Sequence, residues 1–395
     1  MNDTGGVRKI IHLDLDAFFC AVEELRDPTL AGKPFAVGGP PESRGVVASC
    51  SYPARRLGIH SAMPMARARR LCPALIVVPA RHGAYSALSR AVMTHLHTLT
   101  PLVEQISIDE AFLDVSDRAE PAELLARQLQ VTIRTELSLP CSLGVATNKL
   151  VAKIANNVGK AAARGDSPPN AILTVPPGEE AAFLEPLPAG ALWGVGPRTA
   201  ERLAELGIHT IGAIARWPEA DLVRHFGKHG ADLSRHARGL DDRPIVVEHE
   251  RKSVSQETTF SRDVSDRALL EQTLAAQAHD VSRILRAQRL AGVTVKLKLR
   301  WADFTTLTRQ TTLAQPVDDG ATILATVRGL FGRIWHGQPV RLIGVGVSGF
   351  QEVARQMSLW EQPDERSERL DGVVQALRKR YGEQALRRGS ELSGS

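Results

Sequence analysis

The sequence predicts an α+β multidomain protein, and three observations carry that expectation. From Lys9 to Lys160, short apolar runs bounded by Gly, Pro and charge alternate with stretches of helical periodicity, the pattern of a mixed catalytic domain. Residues 179–240 read as helix cut into short pieces by Gly and Pro. After a linker, 241–253, come a long helical stretch (266–290), a strand (292–301) and a mixed α/β remainder to about residue 350. At 395 residues the chain is long for one ordinary domain, and 43% hydrophobic content is enough for more than one core.

The elements follow in order. Residues 9–16 read as a buried strand and 17–26 as a helix. KPFAVGG (33–39), GVVASCS (45–51) and PALIVVP (73–79) are apolar runs of strand length, with broken helical material between the last two. GAYSALSRAVMTHLHTLTP has helical spacing, and VEQISIDEAFLDVS (103–116) reads as a strand pair around an acidic turn. PAELLARQLQVTIRTEL is an amphipathic helix, CSLGVAT a strand and NKLVAKIANNVGK another helix. The Pro- and Gly-rich AAARGDSPPNAILTVPPGEE is loop and linker around one short strand, AILTV. The end of the chain, 361–395, is polar and charged with one helical patch.

A net charge of +5 permits a polyanionic partner without demanding one. The four cysteines (Cys20, Cys50, Cys72, Cys141) lack C-x-x-C spacing, which argues against a disulfide framework or a zinc site and fits a reducing compartment. No secretory h-region is seen and no charge-free apolar run is long enough to span a bilayer, so a soluble cytoplasmic protein is expected.

Chemistry concentrates in two acidic clusters. In HLDLD, Ile11, Leu13 and Leu15 share one strand face, while His12, Asp14 and Asp16 share the other. Like carboxylates on one face repel unless a cation sits between them or one is turned aside. Asp16 directly precedes the helix and reads as its N-cap; Asp14, deeper in the strand, suits a metal. In SIDEA, Asp109 and Glu110 would point to opposite faces of a regular strand, so they serve one site only if a turn or bulge intervenes; an exposed hairpin tip is the alternative. Three carboxylates from two strands would make an oxygen-rich site suited to magnesium bridging substrate phosphates. Paired metals about 3.5–4 Å apart support in-line phosphoryl transfer.

HLDLDAFFCAVE, VASCSYPARRLGI, SIDEAFLDVS and GVATNKLVAKIAN stand in the order and approximate spacing of Y-family (translesion) DNA polymerases. From about residue 8 to 360 the chain resembles the DNA polymerase IV (DinB) group of that family. The resemblance implies a right-hand polymerase: palm 1–19 and 80–170, fingers 20–79, helix-hairpin-helix thumb 171–242, α/β little finger 243–353, and a tail 354–395. It also implies roles. Asp14 resembles the aspartate ligating both metal ions, with the Leu15 backbone carbonyl as a further ligand. Asp109 resembles the second shared ligand and Glu110 the catalytic glutamate, while Asp16 is no ligand. Phe18 and Phe19 open a helix whose free N–H groups favour a triphosphate. Phe19 resembles the steric gate that clashes with a ribose 2′-hydroxyl; core packing is the plain alternative for both rings. Tyr52 and Arg55 resemble the pair holding the β- and γ-phosphates, although Ser51 stands where the family usually has Asn. Lys160 resembles a phosphate-binding lysine, but the family's Lys-Pro-x-Gly is replaced by KAAARGDSPPN, which leaves Lys153 as the alternative.

Three further stretches resemble the family's DNA- and partner-binding parts. LWGVGPRTAERLAELGIHTIGAIA (192–215) carries the Gly194–Val195–Gly196 turn of a helix-hairpin-helix, which offers backbone N–H groups to a DNA phosphate. In GVTVKLKLRW, Val293, Val295, Leu297 and Leu299 share one face, and Thr294, Lys296, Lys298 and Arg300 form a purely basic outer face. With Arg251, Lys252 and Ser253, this resembles the little-finger surface on the DNA backbone. Gln356, Met357, Leu359 and Trp360, flanking Ser358, resemble a β-clamp-binding peptide. The implied function is template-directed, low-fidelity translesion synthesis, adding dNTPs to a primer 3′ end with two Mg2+ ions and no proofreading. The implied partners are primer-template DNA, dNTP and the β sliding clamp, with a monomer and no membrane. The alternative is a non-catalytic DNA- and clamp-binding repair adaptor, a class that lacks the acidic triad.

Overall fold

The computed structural model describes residues 7–350 except 164 and 249, so the clamp-like peptide at 356–360 and the tail at 361–395 lie outside the described residues. The chain opens with β1 (Ile10–Leu15), α1 (Phe18–Arg26), β2 (Phe35–Gly38), β3 (Val47–Cys50), α2 (Tyr52–Arg56), α3 (Met65–Leu71), β4 (Ile76–Val78) and α4 (His82–Leu99). Next come β5 (Val103–Gln105), β6 (Glu110–Asp114), α5 (Ala122–Leu137), β7 (Cys141–Ala146), α6 (Lys149–Ala162) and β8 (Ile172–Thr174). Short helices follow: α7 (Glu180–Leu184), α8 (Pro197–Glu205), α9 (Ile211–Arg216), α10 (Glu219–Phe226) and α11 (Lys228–Ala237). The described chain closes with β9 (Ser253–Val264), α12 (Arg267–Ala287), β10 (Gly292–Trp301), β11 (Thr306–Val317), α13 (Gly320–Ile334) and β12 (Val340–Phe350).

The first sheet runs β5-β6-β1-β7-β8, with β1 central and antiparallel to both neighbours. Its period-2 alternation makes two different faces. Ile11, Leu13 and Leu15 enter a core with Leu113, Leu143 and residues of α4 and α5. Ile10 and Phe112 point the other way, toward Leu150, Val151 and Ile154 of α6. Gly144 of β7 lets α6 sit this close: a Cβ there would lie 1.9 Å from the Ala152 carbonyl oxygen and 2.5 Å from the Asn156 nitrogen. The apolar face of α6 continues into α7–α11 through Leu184, Leu203, Ile211 and Leu222, so this helix joins the first sheet to the helical unit.

β8 pairs in parallel with β7, which ties residues 172–174 to the first sheet rather than to a unit starting at 171. The order β3-β2-β4 forms a second, small sheet. Its inner residues Phe35, Val37 and Val78 share the first core with α1, and Ala36, Val47 and Cys50 pack separately with Ala54 and Met65. The last sheet, β11-β10-β12-β9, is antiparallel, with α12 and α13 packed on one face. In β10 Val295, Leu297 and Leu299 are buried as expected, but a register shift between Gly292 and Thr294 turns Val293 out of the core. β9 lies where the sequence suggested only the opening of a domain; it is an edge strand with few buried residues, so no apolar alternation announces it.

Candidate active site

The acidic clusters meet because of strand register. Asp14 lies opposite Glu110 on adjacent strands, and the Leu15 N–H donates to the Asp109 carbonyl at 2.9 Å. The N–H groups of Ile106 and Ser107 both donate to the Glu110 carbonyl, closing a tight turn that ends as β6 begins. Asp109 therefore sits in the turn and Glu110 on the strand, the break in alternation that one shared site requires. An open cleft of about 350 Å³ is lined by Asp14, Phe19, Arg55, Asp109 and Lys160 among others, with Glu110 outside its lining.

Each carboxylate already has an internal partner. Lys160 Nζ is 2.6 Å from Asp14 and 3.1 Å from Asp16. Asp109 accepts from the Ser107 hydroxyl at 2.5 Å. Glu110 accepts from His12 Nε2 at 2.5 Å and pairs with Lys153. Both lysines that the sequence left as alternatives thus reach the acidic site, from the same face of α6 two turns apart. Burial pushes the Asp14 carboxyl up and the neighbouring Asp109 and Glu110 add to this, while Lys160 opposes it. Burial would also push Glu110 up, but His12 and Lys153 outweigh it and hold its carboxyl at about 2. Among the described residues no three His, Cys, Asp or Glu stand as a preformed metal cage. The donors nonetheless fit a divalent cation: hard oxygens, crowded like charges, and two ammonium groups occupying the positive role between them.

Asp16 is not the helix cap that the sequence suggested. The N-cap of α1 is Ala17, in a left-handed conformation without a side-chain cap. Asp16 is fully buried and accepts from the Ser142 hydroxyl (2.9 and 3.0 Å), the Asn170 N–H (3.0 Å) and Lys160. It thereby anchors the lysine and the loop after α6, the loop whose sequence departs from the family pattern. Ser142 of β7, whose register partner is Asp14, holds the Asp16 carboxylate inward through its hydroxyl.

On the nucleotide side, Phe18 lines the cleft but its ring is buried in the main core. Phe19 is partly exposed and stacks on Tyr85, with centroids 4.3 Å apart and planes 13° apart. Ser51 caps α2, accepting from the Ala54 N–H at 3.4 Å. The Arg55 guanidinium lies 4.8 Å from the Tyr52 ring centroid, and Arg55 Nε donates to the Cys50 carbonyl. Among the described residues the Tyr52 hydroxyl is buried and finds no hydrogen-bond partner.

The remaining site residues are spread widely. Gly194 turns with φ 100°, and Gly196 is the N-cap of α8 with open space around it. Lys252 and Ser253 are exposed where β9 begins. Lys296 and Lys298 line a shallow trough on the open face of the last sheet, but that face is not purely basic. Glu257 of β9 reaches across Gly344 of β12 to pair with Lys298 at 2.8 Å, and Arg300 donates to the Thr306 hydroxyl. Strand pairing from 41 residues away supplied a counter-charge that β10 alone did not reveal. Sequence reading named His12 only by its face and missed Asn156, Glu23 and Tyr85. The available signal was a polar side chain repeated on an otherwise apolar face.

The model of the impB/mucB/samB family matches residues 13–157, that of its C-terminal domain residues 251–359, and the IMS family HHH motif residues 177–208. The chain is 38% identical over 389 residues to a DNA polymerase IV of Dehalococcoides mccartyi (strain CBDB1), covering 97% of each chain. It is 41% identical to that of Listeria innocua (88% of this chain, 96% of the relative) and 43% identical to that of Streptomyces coelicolor (91% and 74%). Among solved structures, a Y-family DNA polymerase chimera of Dbh and Dpo4 matches with a TM-score of 0.76 at 27% identity, covering 87% of this chain and 99% of the other. A DinB crystal structure from Sulfolobus solfataricus matches at 0.59 and 27% identity over the same shares.

Proposed function

The chain belongs to the impB/mucB/samB family, and from that membership we propose how its cleft works as a translesion DNA polymerase. The protein is a DNA-directed DNA polymerase of the Y family, acting on DNA and deoxynucleotides with divalent metal. The observation that supports the site assignment is the register of β1 and β6, in which Asp14 pairs with Glu110 while Asp14 and Asp109 line one cleft with Arg55, Lys160 and Phe19.

In this reading the Phe19 ring floors the sugar and excludes a 2′-hydroxyl. The Arg55 guanidinium, the unpartnered Tyr52 hydroxyl and Lys160 hold the β- and γ-phosphates, beside the free N–H groups at the start of α1. Phe18 contributes through its main chain. Asp14, Asp109, Glu110 and the Leu15 carbonyl would hold two Mg2+ ions, which would supply charge neutralisation for an in-line displacement. Lys160, which lines the cleft and pairs with Asp14, and Lys153, which pairs with Glu110, supply positive charge from α6 to the acidic site.

DNA is held by the Gly194 and Gly196 turn and by Lys252, Ser253, Lys296, Lys298 and Arg300, through phosphate contacts indifferent to sequence. The units follow the palm, fingers, thumb and little-finger plan, with β8 added to the palm. The protein acts as a cytoplasmic monomer recruited by the β sliding clamp through Gln356, Met357, Leu359 and Trp360. Among the described residues no helix is long and apolar enough to cross a membrane. The deciding experiment is magnesium-dependent primer extension by the wild type and by Asp109→Ala. Absence of extension by the wild type overturns the enzyme reading, and undiminished extension by the variant overturns the site.

A further inference from the structure

A buried carboxylate outside the acidic site remains without a role in this chemistry. Glu23 lies one turn after Phe19 on α1 and its side chain is 1% exposed. An isolated carboxylate at such depth would be strongly destabilising, so its partners matter. One oxygen accepts from the Tyr85 hydroxyl at 2.7 Å, and the other pairs with Arg81. Arg81 is the N-cap of α4 and Tyr85 lies on its first turns. Tyr85 is also the ring on which Phe19 stacks, and His82 meets both rings edge-on at 6.4 and 6.1 Å.

The chain of contact runs from a charge to a ring to a second ring. Stacking alone does not fix one lateral position, because offset-stacked rings occur over a range of centroid separations. The hydrogen bond at the far end of Tyr85 removes that freedom by fixing the phenol oxygen. Arg81 holds the carboxylate to one orientation by the second oxygen. Glu23 and Phe19 also lie on the same face of one helix, so the anchor and the supported ring cannot drift apart.

We propose that Glu23, clamped by Arg81, is a positioning residue that sets sugar selectivity by fixing Tyr85 beneath Phe19. The inference rests on the reading of Phe19 as the ribose-excluding ring. It assigns Glu23 a function distinct from fastening α1 to α4, since a fastening alone would leave the ratio of deoxy- to ribonucleotide use untouched.

The test compares that ratio, as kcat/KM for one dNTP over the matching rNTP, in wild type, Glu23→Gln, Tyr85→Phe, Phe19→Ala and the double variant Phe19→Ala/Glu23→Gln, with urea midpoints measured alongside. Glu23→Gln retains volume and an acceptor for Tyr85 but loses the charge facing Arg81; Tyr85→Phe retains the ring and loses only the hydroxyl. Both are expected to lower selectivity several-fold, and Glu23→Gln is expected to have no further effect once Phe19 is Ala, since contacting residues couple. Loss of selectivity in Phe19→Ala with none in Glu23→Gln and Tyr85→Phe overturns the positioning role alone. Unchanged selectivity in Phe19→Ala overturns the gate reading and the inference with it. Additive losses in the double variant also overturn the inference.

Discussion

His12 Nε2 lies 2.5 Å from the Glu110 carboxylate, and the opposite ring nitrogen, Nδ1, lies 2.9 Å from the side-chain amide nitrogen of Asn156. The same amide donates to the Ser142 carbonyl at 2.9 Å, so turning it over would aim its oxygen at a carbonyl. Nδ1 is therefore an acceptor and Nε2–H the donor to Glu110. Burial pushes the His12 pKa down although Glu110 opposes it, which favours the neutral ring in this tautomer. Asn156 on α6 thus orients a glutamate on β6 through a histidine on β1.

His12→Phe should therefore impair the chemical step. Removing a hydrogen bond to a charged group is worth about 1.5–3 kcal/mol, or a roughly ten- to hundredfold loss of rate if it acts in the transition state. The Glu110 carboxyl loses a group that holds it low, and the Mg2+ concentration for half-maximal single-turnover extension should rise. Unchanged extension and an unchanged Mg2+ requirement would show that Glu110 does not depend on His12.

Gly144→Ala should separate the two lysines from the acids they face. The added methyl would overlap backbone atoms of α6, which cannot rotate away as a side chain can. Such overpacking is destabilising by about 1–3 kcal/mol or more, and the helix must lift to relieve it. The expected result is a lowered urea midpoint with extension reduced beyond the unfolded fraction. A soluble variant with full activity would mean that α6 tolerates the shift.

The sheet face of β1 was legible because alternation is a local property: His12 and Asp14 stand at alternate positions of β1, whereas Asp16 lies just past its end. Asp16 was misread because helix capping is also judged locally, whereas its partner Ser142 comes from another strand. β9 was hidden because an edge strand with an open face has no apolar rhythm. Glu110's role depends on Asn156 and Lys153, 46 and 43 residues away, and no periodicity encodes which helix will cover which face.

Acid should loosen the tie between the helical unit and α6. Asp241 is buried, accepts from Arg243 at 2.6 and 2.8 Å and takes the Leu150 N–H at 3.0 Å. Burial would push its carboxyl up, but Arg243 and these N–H donors outweigh it and the pKa is lowered. A folded pKa below the unfolded value of about 3.9 gives stability that is complete above that value and is lost as pH falls through the folded one. Asp241→Asn should therefore be less stable than wild type at pH 7, with the difference shrinking below about pH 4. Urea midpoints measured from pH 3 to 7 test this, and a constant gap would refute it.

Arg44 should act as a latch between the small sheet's loop and the last domain. Its guanidinium lies 2.7 Å from Asp263 and 3.3 Å from the Phe260 carbonyl of β9. Partly exposed pairs contribute only about 0–1 kcal/mol, so Arg44→Ala should leave the unfolding midpoint nearly unchanged. Spin-label distances between the two units should nevertheless broaden. The charge swap Arg44→Asp/Asp263→Arg should narrow them again; equal distributions in all three proteins would remove the latch.

Glu257→Gln should strengthen DNA binding while making it more salt-sensitive. In the wild type Lys298 is spent on Glu257, 2.8 Å away over Gly344, so a phosphate at this point must displace an existing ion pair. The pair is more than a third exposed on its acidic side, which keeps it weak enough to exchange and still able to oppose a DNA phosphate. Neutralising the carboxylate frees the lysine and removes a like charge from the path of the backbone. Each added phosphate contact steepens the dependence of log affinity on log salt by about 0.9. Fluorescence anisotropy with primer-template DNA between 50 and 200 mM salt, concentrations over which phosphate-driven binding weakens by orders of magnitude, should give tighter binding at the low end and a slope larger by about one unit. Lys298→Ala should then weaken binding more in the Glu257→Gln background than in the wild type. An unchanged slope in Glu257→Gln would mean that this trough does not meet the DNA backbone.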